Sequence, residues 1–483
     1  MNVDPGVVDQ YWERALPVLE EYISIPARSP FFDPHWEEPG HLGRAARLLA
    51  DWVAHQRLPG ATVHVHEPAG LTPLLVVDVP TTHPESDRPS VVLYGHLDKQ
   101  PEMEPWSTGL GPWTPVRRDD RLYGRGAADD GYAVFAAVIA LAAIHESGGR
   151  HARCLIVIEA SEESASIDLP HHLSALADDL DDTDLVIALD SFCETYDRLW
   201  TSTSTRGIWD GVLEIDVCDS DPHSGRASGV LPSAWRIGRL LLDRIEDPAT
   251  GEVSIGSARV PVPSHRVREA TVAAGAMEPL WSSFDPAPGL SPVNADATEE
   301  LLGGTWRPAL EVIGVDGAPS IAEAGNVFRS RLALKLSLRL PPTAHVDAVA
   351  DEIEALLTTD PPYGAQVRLH HGARGPGWDA PAFAPWLDEA LDTASLRHFG
   401  RTRASCGIGG SIPFMGLLGE LVPAAQFLLV GVLGPGSNAH GPDEFLDLPT
   451  TRRLTACIAE IVMAHADASG AGPADVTERA GGQ

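Results

Sequence analysis

The central part of the chain, from about residue 90 to 190, alternates short apolar runs with helical patterns. The apolar runs VVLY, CLIVIEA and LVIAL read as buried strands. The segments that separate them, DGYAVFAAVIALAAIHE and LPHHLSALADDL, have the apolar spacing of helices. Because strands and helices alternate, we predict βαβ units, and hence an α/β domain with a mostly parallel sheet.

The pattern changes near residue 205. IWDGVLEIDVCD and RSRLALKLSLRL alternate polar and apolar residues, as strands of a sheet with one exposed face do. Helical patterns lie between and after them, so we predict an α+β domain at 205–372. Buried-type patterns then resume at QFLLVGVLG. We therefore predict that the α/β domain consists of 1–204 and 373–468, interrupted by the insertion, and that 469–483 is a flexible tail.

Acidic and imidazole side chains follow the apolar runs at the point where each run stops. The candidates are His96, Asp98, Asp129, Asp130, Glu162, Glu163, Asp190 and His440. Open α/β sheets place ligands outside the carboxyl ends of their strands, so these side chains are expected to converge. Two histidines among several carboxylates predict a metal site, most plausibly for zinc.

A hydrolytic zinc site needs imidazole and carboxylate ligands, a water and a nearby base. Five of the candidates supply a sufficient ligand set: His96, Asp129, Glu163, Asp190 and His440. Glu162 is left over and could face the water as a base. Asp98, two residues after His96, could accept the imidazole N–H of His96 and so fix its tautomer.

The amino-acid composition limits the classes of partner that we expect this protein to bind. Of the 483 residues, 68 are acidic and 35 basic, which gives a formal net charge of −33. Phosphate backbones and anionic lipids repel such a chain, so we expect neither nucleic acid nor a membrane as a partner. No run approaches the ~18 apolar residues of a membrane span. The five scattered cysteines lack CxxC spacing and the N-terminus lacks a signal pattern, so we expect a cytoplasmic protein.

A series of motifs in a fixed order makes the chain recognisable. The motifs are YGHLD at 94–98, LYGRGAADD at 122–130, EASEES at 159–164, HSG at 223–225, SLRLPP at 337–342, GGSIP at 409–413 and GPGSNAHGP at 434–442. Together they resemble those of the di-zinc dipeptidase, aminoacylase and carboxypeptidase family that includes the carnosinases. The resemblance covers nearly all of the chain.

The resemblance implies a role for each ligand. His96 and Asp190 would bind one zinc ion, Glu163 and His440 the other, and Asp129 would bridge them. Manganese or cobalt would also suit such a pair of divalent ions. Glu162 would be the general base that takes a proton from water and delivers it to the leaving amine. The peptide bond between Asp129 and Asp130 would be cis.

The inserted domain would be the family's lid or dimerisation domain. In a homodimer, His223 would cross to the partner subunit and stabilise the oxyanion. Arg339, with Gly410 and Ser411 of the GGSIP motif, would bind the substrate. The implied activity is hydrolysis of a small peptide, most plausibly a dipeptide. The alternatives are an N-acyl-amino-acid amidohydrolase, a carboxypeptidase and, with little support, a non-catalytic homologue.

Two departures from the family bear on the substrate. Family dipeptidases commonly have Arg-Glu before GGSIP, whereas this chain has Gly407 and Ile408. Glycine cannot replace a bidentate donor, so recognition of a free carboxylate is in question. The other departure is Lys99, where a small apolar residue is usual. We expect it to pair with Glu102 rather than meet a substrate acid.

Overall fold

The computed structural model describes residues 2–38, 40–56, 58–85, 88–284, 286–410 and 412–468. These residues form two compact units. The first unit takes its residues from Met1–Ser202, Ala380–Ser405 and Pro413–Gln483, and the second from Thr203–Asp379 and Cys406–Ile412. The predicted tail at 469–483 lies outside the described residues.

The regular elements follow one another in the order that the alternation predicts. The strands are β1 (Thr62–His66), β2 (Leu74–Val79), β3 (Ser90–His96), β4 (Val116–Arg118), β5 (Arg121–Tyr123), β6 (Cys154–Glu159), β7 (Thr183–Ala188), β8 (Trp200–Thr205), β9 (Gly207–Asp216), β10 (Ala309–Asp316), β11 (Arg331–Leu340), β12 (Gln366–Gly375), β13 (Trp378–Asp379), β14 (Ala404–Ile408), β15 (Gln426–Leu429) and β16 (Phe445–Asp447). The helices are α1 (Pro5–Ile23), α2 (His41–Ala54), α3 (Ala133–Glu146), α4 (Leu169–Ala175), α5 (Ala177–Leu180), α6 (Ser224–Ala227), α7 (Ala234–Leu242), α8 (Ser264–Ala274), α9 (Ala297–Thr305), α10 (Val346–Thr358), α11 (Pro385–Phe399), α12 (Pro413–Leu421) and α13 (Leu448–Asp467).

The main sheet of the first unit is parallel in its middle. Its strands lie in the order β1-β2-β6-β3-β7-β15-β8, and β6, β3, β7 and β15 run parallel to one another. The pairs β1–β2, β2–β6 and β15–β8 are antiparallel, so the sheet is mixed. The prediction of an α/β unit with parallel central strands is therefore confirmed. Four neighbouring strands have their carboxyl ends at one edge.

Helix α3 lies in the middle of the core and packs against α1 and α13. Each of its residues from Ala133 to Ile144 is buried. Contrary to the expectation that no run approaches the length of a membrane span, Ala127–Glu146 is long and apolar enough to cross a membrane, alone among the described residues. Its 18-residue apolar window is entirely buried inside the structure. A helix that is apolar on every side is also what the core of a large α/β unit requires.

The second unit is an α+β layer. Its antiparallel sheet has the strand order β10-β11-β9-β12. Trp209, Leu213 and Ile215 of β9 and the alternate leucines of β11 point into one core, which α7 and α10 cover. The predicted one-sided alternation is thus confirmed.

The borders of the two units differ from the predicted domain borders at 204/205 and 372/373. Residues 373–379 lie in the second unit, because Trp378 and Asp379 pair with Thr205 and Ser204 of β8. Residues 406–412 also belong to this unit. Both borders depend on pairing between strands that are distant in sequence, so local sequence patterns cannot predict these borders.

Lys99 does not have the surface role that its sequence context suggests. Its side chain is fully buried and donates hydrogen bonds to the carbonyls of Tyr22 (2.8 Å), Ile23 (3.3 Å) and Ile25 (2.9 Å). These carbonyls lie at the carboxyl end of α1, where a cation is favourable. Burial lowers the pKa of Lys99 well below its ordinary value. The expected pair with Glu102 is therefore wrong, since the ammonium group caps a helix.

We expect Lys99→Met to lower the free energy of unfolding by about 2–4 kcal/mol, because it leaves buried carbonyls without a donor. Urea unfolding followed by tryptophan fluorescence measures the loss. The chain's other lysine, Lys335, is exposed on β11 and supplies the control. Lys335→Met should change the stability by less than about 0.5 kcal/mol. Equal effects of the two substitutions would contradict the capping role.

Candidate metal centre

The carboxyl ends of the four parallel strands carry most of the candidate ligands. His96 is the last residue of β3, and Glu162 and Glu163 lie in a short turn that follows β6. Asp190 comes two residues after β7, and the chain from β15 leads to His440. Because neighbouring parallel strands end at the same edge, side chains far apart in sequence meet there.

Asp129 comes from a turn instead of a strand end. The chain after β5 makes a tight turn at Gly126, whose φ of 76° is in the left-handed region. A Cβ atom at Gly126 would lie 2.8 Å from the side chain of Lys99, so only glycine fits. The peptide bond between Asp129 and Asp130 is cis, as the resemblance implies.

The two oxygens of Asp129 face two different histidines. Asp129 Oδ1 lies 3.3 Å from His96 Nε2, and Asp129 Oδ2 lies 2.9 Å from His440 Nε2. On one side, Asp190 Oδ2 is 3.9 Å from His96 Nε2. On the other, Glu163 Oε2 is 3.4 Å from His440 Nε2. The result is two three-residue groups of potential ligands that share Asp129.

The donor set fits two divalent cations. Each group offers one imidazole nitrogen and carboxylate oxygens, which zinc and similar borderline ions accept. Glu163 Oε1 is buried and has no hydrogen-bond partner among the residues that the structure describes. Its other oxygen accepts a hydrogen bond from Gln100 at 2.6 Å. A buried carboxylate oxygen without a hydrogen-bond partner inside such a group fits the role of a metal ligand.

The comparisons with known proteins agree with this geometry. The model of peptidase family M20/M25/M40 matches residues 92–464. The chain belongs to this family.

Several relatives in sequence and in structure are dipeptidases by name. The cysteinylglycine-S-conjugate dipeptidase of Corynebacterium striatum is 26% identical over 400 residues, which are 79% of this chain and 82% of that protein. Human Beta-Ala-His dipeptidase is 26% identical over 360 residues, or 72% and 69% of the two chains. The structure of human carnosine dipeptidase 1 has a TM-score of 0.76 at 21% identity and covers 96% of this chain and 98% of its own. As a member of the M20/M25/M40 family, the protein is a metal-dependent peptide hydrolase.

The Asp98 carboxylate lies beside His96, as predicted, and also contacts the turn after β6. His96 Nδ1 lies 3.0 Å from the backbone carbonyl of Asp98 and 3.5 Å from its carboxylate. The backbone carbonyl is thus the nearer acceptor for the imidazole N–H. The Asp98 carboxylate accepts the backbone N–H groups of Glu162 (3.1 Å) and Glu163 (3.0 Å). Asp98 therefore holds the turn that carries the two glutamates.

Sequence reasoning missed Glu444, a fully buried carboxylate. It accepts the backbone N–H groups of Gly126 (3.0 Å), Ala128 (3.1 Å) and Asp129 (3.3 Å). Arg125 donates to Glu444 at 2.8 Å and to the carbonyl of Gly441 at 2.6 Å. This buried pair links the turn of Asp129 to the loop of His440. The one sequence signal for Glu444 is its position four residues after His440.

The remaining candidates lie in the second unit. His223 is exposed at the start of α6, and its Nδ1 accepts the backbone N–H of Gly225 at 3.1 Å. Arg339 lies on β11 opposite Ile208, on the face away from the core. Gly410 accepts the backbone N–H of Arg206 at 3.1 Å. Ser411 lies outside the described residues.

In the metal-free protein, the surroundings raise the pKa of several ligands of this M20/M25/M40 site, so that two of them, His440 and Glu163, hold protons at neutral pH. Burial opposes the charge of His440, but the hydrogen bond to Asp129 outweighs it and raises the pKa of His440 to about 9. Burial and the charge of Asp129 raise the pKa of Glu163 to about 8. Burial raises the pKa of Asp190 to about 6. Ligands must lose these protons to bind a cation.

We therefore expect the affinity of the metal-free protein for zinc to rise as the pH increases from 6 to 9. Protons compete with the metal below these pKa values, so each proton released contributes about tenfold per pH unit. Calorimetric titration in two buffers of different ionisation enthalpy counts the released protons. An affinity that is equal at pH 6 and pH 8 would contradict the proton-bound state of the ligands.

Proposed function

We propose that the protein is a dipeptidase that uses two zinc ions and Glu162 as its general base. The observation that carries this proposal is the pair of ligand groups that share Asp129, with Glu162 next to the ligand Glu163 in the chain. Glu162 belongs to neither group. It directly precedes the ligand Glu163 in the short turn after β6, and burial, followed by the charge of Asp190, raises its pKa.

Glu162 moves the proton in this mechanism. When bound, two divalent ions lower the pKa of water and stabilise negative charge on the scissile carbonyl group. The Glu162 carboxylate accepts a proton from the attacking water. The same carboxyl group then gives this proton to the nitrogen of the leaving amine as the amide bond breaks. His96, Asp190, Glu163 and His440 would hold the two ions, and Asp129 would bridge them.

We infer that residues of the second unit bind the substrate. Arg339, Gly410 and Ser411 would bind the substrate carboxylate, and His223 of a partner subunit would stabilise the oxyanion. The exposure of His223 supports this role, because its Nε2 is not needed for the hydrogen bond that its Nδ1 makes within the turn. The protein would then be an obligate homodimer.

We also propose that the protein works in the cytoplasm on small substrates. Each of the five cysteines is free, and all five lie among the described residues. Free thiols are typical of a reducing compartment. The formal net charge of −33 supports a small substrate rather than a nucleic acid.

A second candidate is hydrolysis of an N-acyl amino acid. Succinyl-diaminopimelate desuccinylase of Delftia acidovorans is 30% identical over 158 residues, which are only 32% of this chain and 37% of that protein. Gly407 and Ile408 in place of Arg-Glu also favour a substrate other than the family's common dipeptides. One substrate panel that contains both dipeptides and N-acyl amino acids decides between the two candidates.

We expect Glu162→Gln to retain two equivalents of metal and to lose at least ~10³-fold in kcat, because the amide cannot take the proton. Glu163→Gln should instead lose metal. Metal content by emission spectrometry and turnover of the substrate panel, with and without chelator, measure both effects. Glu389→Gln, an exposed position on α11, is the matched control. Turnover that survives chelation or Glu162→Gln would overturn the mechanism.

Mixed dimers test the role of His223. His223→Ala and Glu162→Gln are each expected to be inactive. If His223 acts across the dimer, a mixed dimer has one site with both residues intact. Unfolding and refolding the two variants together should then restore about a quarter of the wild-type activity. An absence of complementation, with mixed dimers shown by mass spectrometry, would reject the role across subunits.

A further inference from the structure

Glu159, the last residue of β6, is a buried carboxylate that the mechanism above does not use. Only 1% of it is exposed. Three hydroxyl groups donate to it: Tyr94 Oη to Oε1 at 2.6 Å, Ser166 Oγ to Oε1 at 2.9 Å and Ser161 Oγ to Oε2 at 3.1 Å. No arginine or lysine pairs with it among the residues described here. Burying a carboxylate without a cation is costly, so its hydroxyl partners matter.

Two of these partners enclose the turn that carries Glu162. Ser161 comes directly before Glu162, and Ser166 comes two residues after Ser164, the last residue of the turn. The backbone N–H of Ser166 donates to the carbonyl of Ser161 at 2.8 Å and closes the loop between them. One carboxylate therefore holds both ends of the turn through side-chain hydrogen bonds.

The same turn is held a second time by Asp98, which accepts the backbone N–H groups of Glu162 and Glu163. Asp98 fixes the backbone at the first two positions of the turn, and Glu159 fixes its ends. Such support is needed because two acidic residues, Glu162 and Glu163, follow each other in this short turn. Repulsion between ionised neighbours would displace a base on an unsupported loop.

We propose that Glu159 is a positioning residue that sets the place of Glu162 through the hydroxyl groups of Ser161 and Ser166. The proposal rests on the proposed function of Glu162 as the base. A base that is displaced by about 1 Å loses a factor of about 100 in rate while the bound ligands stay in place. Glu159 does not belong to either ligand group, so its loss should act on the proton transfer alone.

The test combines Glu159→Gln with Ser166→Ala on the metal-loaded full chain. In Glu159→Gln, one of the two acceptor oxygens becomes an NH2 donor, which cannot accept the hydroxyl group that it faces. We expect kcat to fall about 10- to 100-fold, with KM within about twofold and two metal equivalents retained. Because both residues act through one contact, the double variant should lose no more in kcat than Glu159→Gln alone.

Glu460→Gln is the matched control. Glu460 is also a buried glutamate of the first unit, only 8% exposed, but it faces Arg397 and His398 at the junction of α11 and α13. The Glu460→Gln substitution should lower the melting temperature of the protein without changing kcat. If Glu159→Gln behaves in the same way, Glu159 is only structural and the proposal is overturned. Additive losses in the double variant would overturn it as well.

Two further variants keep the test decisive. Should Glu159→Gln not fold, Ser161→Ala with Ser166→Ala removes both tethers and leaves the carboxylate and the hydroxyl of Tyr94. It should show the same loss in kcat, and an unchanged kcat would overturn the proposal. Glu162→Gln, measured in parallel, distinguishes a failure of the proposed function from a failure of the role of Glu159. If the Glu162→Gln enzyme is active, the proposed function is refuted. If it is inactive while the Glu159→Gln enzyme is fully active, only the role of Glu159 is refuted.

Discussion

Repulsion between buried carboxylates is the constraint on which the first unit depends. The four parallel strand ends and one turn bring Asp129, Glu162, Glu163 and Asp190 together where little water reaches them. At such distances like charges raise one another's pKa, and the group would disperse or take up protons without compensation. His96 and His440 compensate part of the charge, each lying beside one oxygen of Asp129. Bound cations would balance the remaining negative charge, so the folding of this unit and its metal chemistry depend on the same residues.

The sheet alone does not hold the site. Backbone pairing fixes His96 at the end of β3, but Glu162, Asp129 and His440 lie on turns and loops with no strand partner. Buried acidic side chains that are not ligands hold these turns and loops in place. Asp98 and Glu159 hold the turn of Glu162, and Glu444 holds that of Asp129. Their acceptor oxygens face backbone N–H groups and hydroxyls, so they add order without adding a ligand that would compete for the metal.

Sequence reasoning found what lies on strands and missed what depends on contacts between loops. The apolar runs predict β3, β6 and β7, so the residues that follow these strands could be placed at one edge of the sheet from the sequence alone. Lys99 and Glu444 carry no such signal. A lysine in a polar loop is usually exposed, and only the carbonyls at the end of α1 reveal that Lys99 is a buried cap. For the same reason sequence reasoning missed the two backbone N–H groups that the Asp98 carboxylate accepts in addition to its contact with His96.

The departure at Gly407 follows from packing in the second unit. A Cβ atom at this position would overlap Ser204 Oγ and lie 3.1 Å from Thr305 Cβ, so no larger side chain fits without displacing its neighbours. An arginine at 407 would therefore require the side chains of Ser204 and Thr305 to move. Arg206 is the cation that the structure places beside this segment. Its guanidinium group donates to the backbone carbonyls of Gly409 (3.2 Å), Gly303 and Arg307 (3.5 Å each), so it holds the chain that follows Gly407 in place. Burial, and after it the charge of Arg339, lower the pKa of Arg206 to about 10.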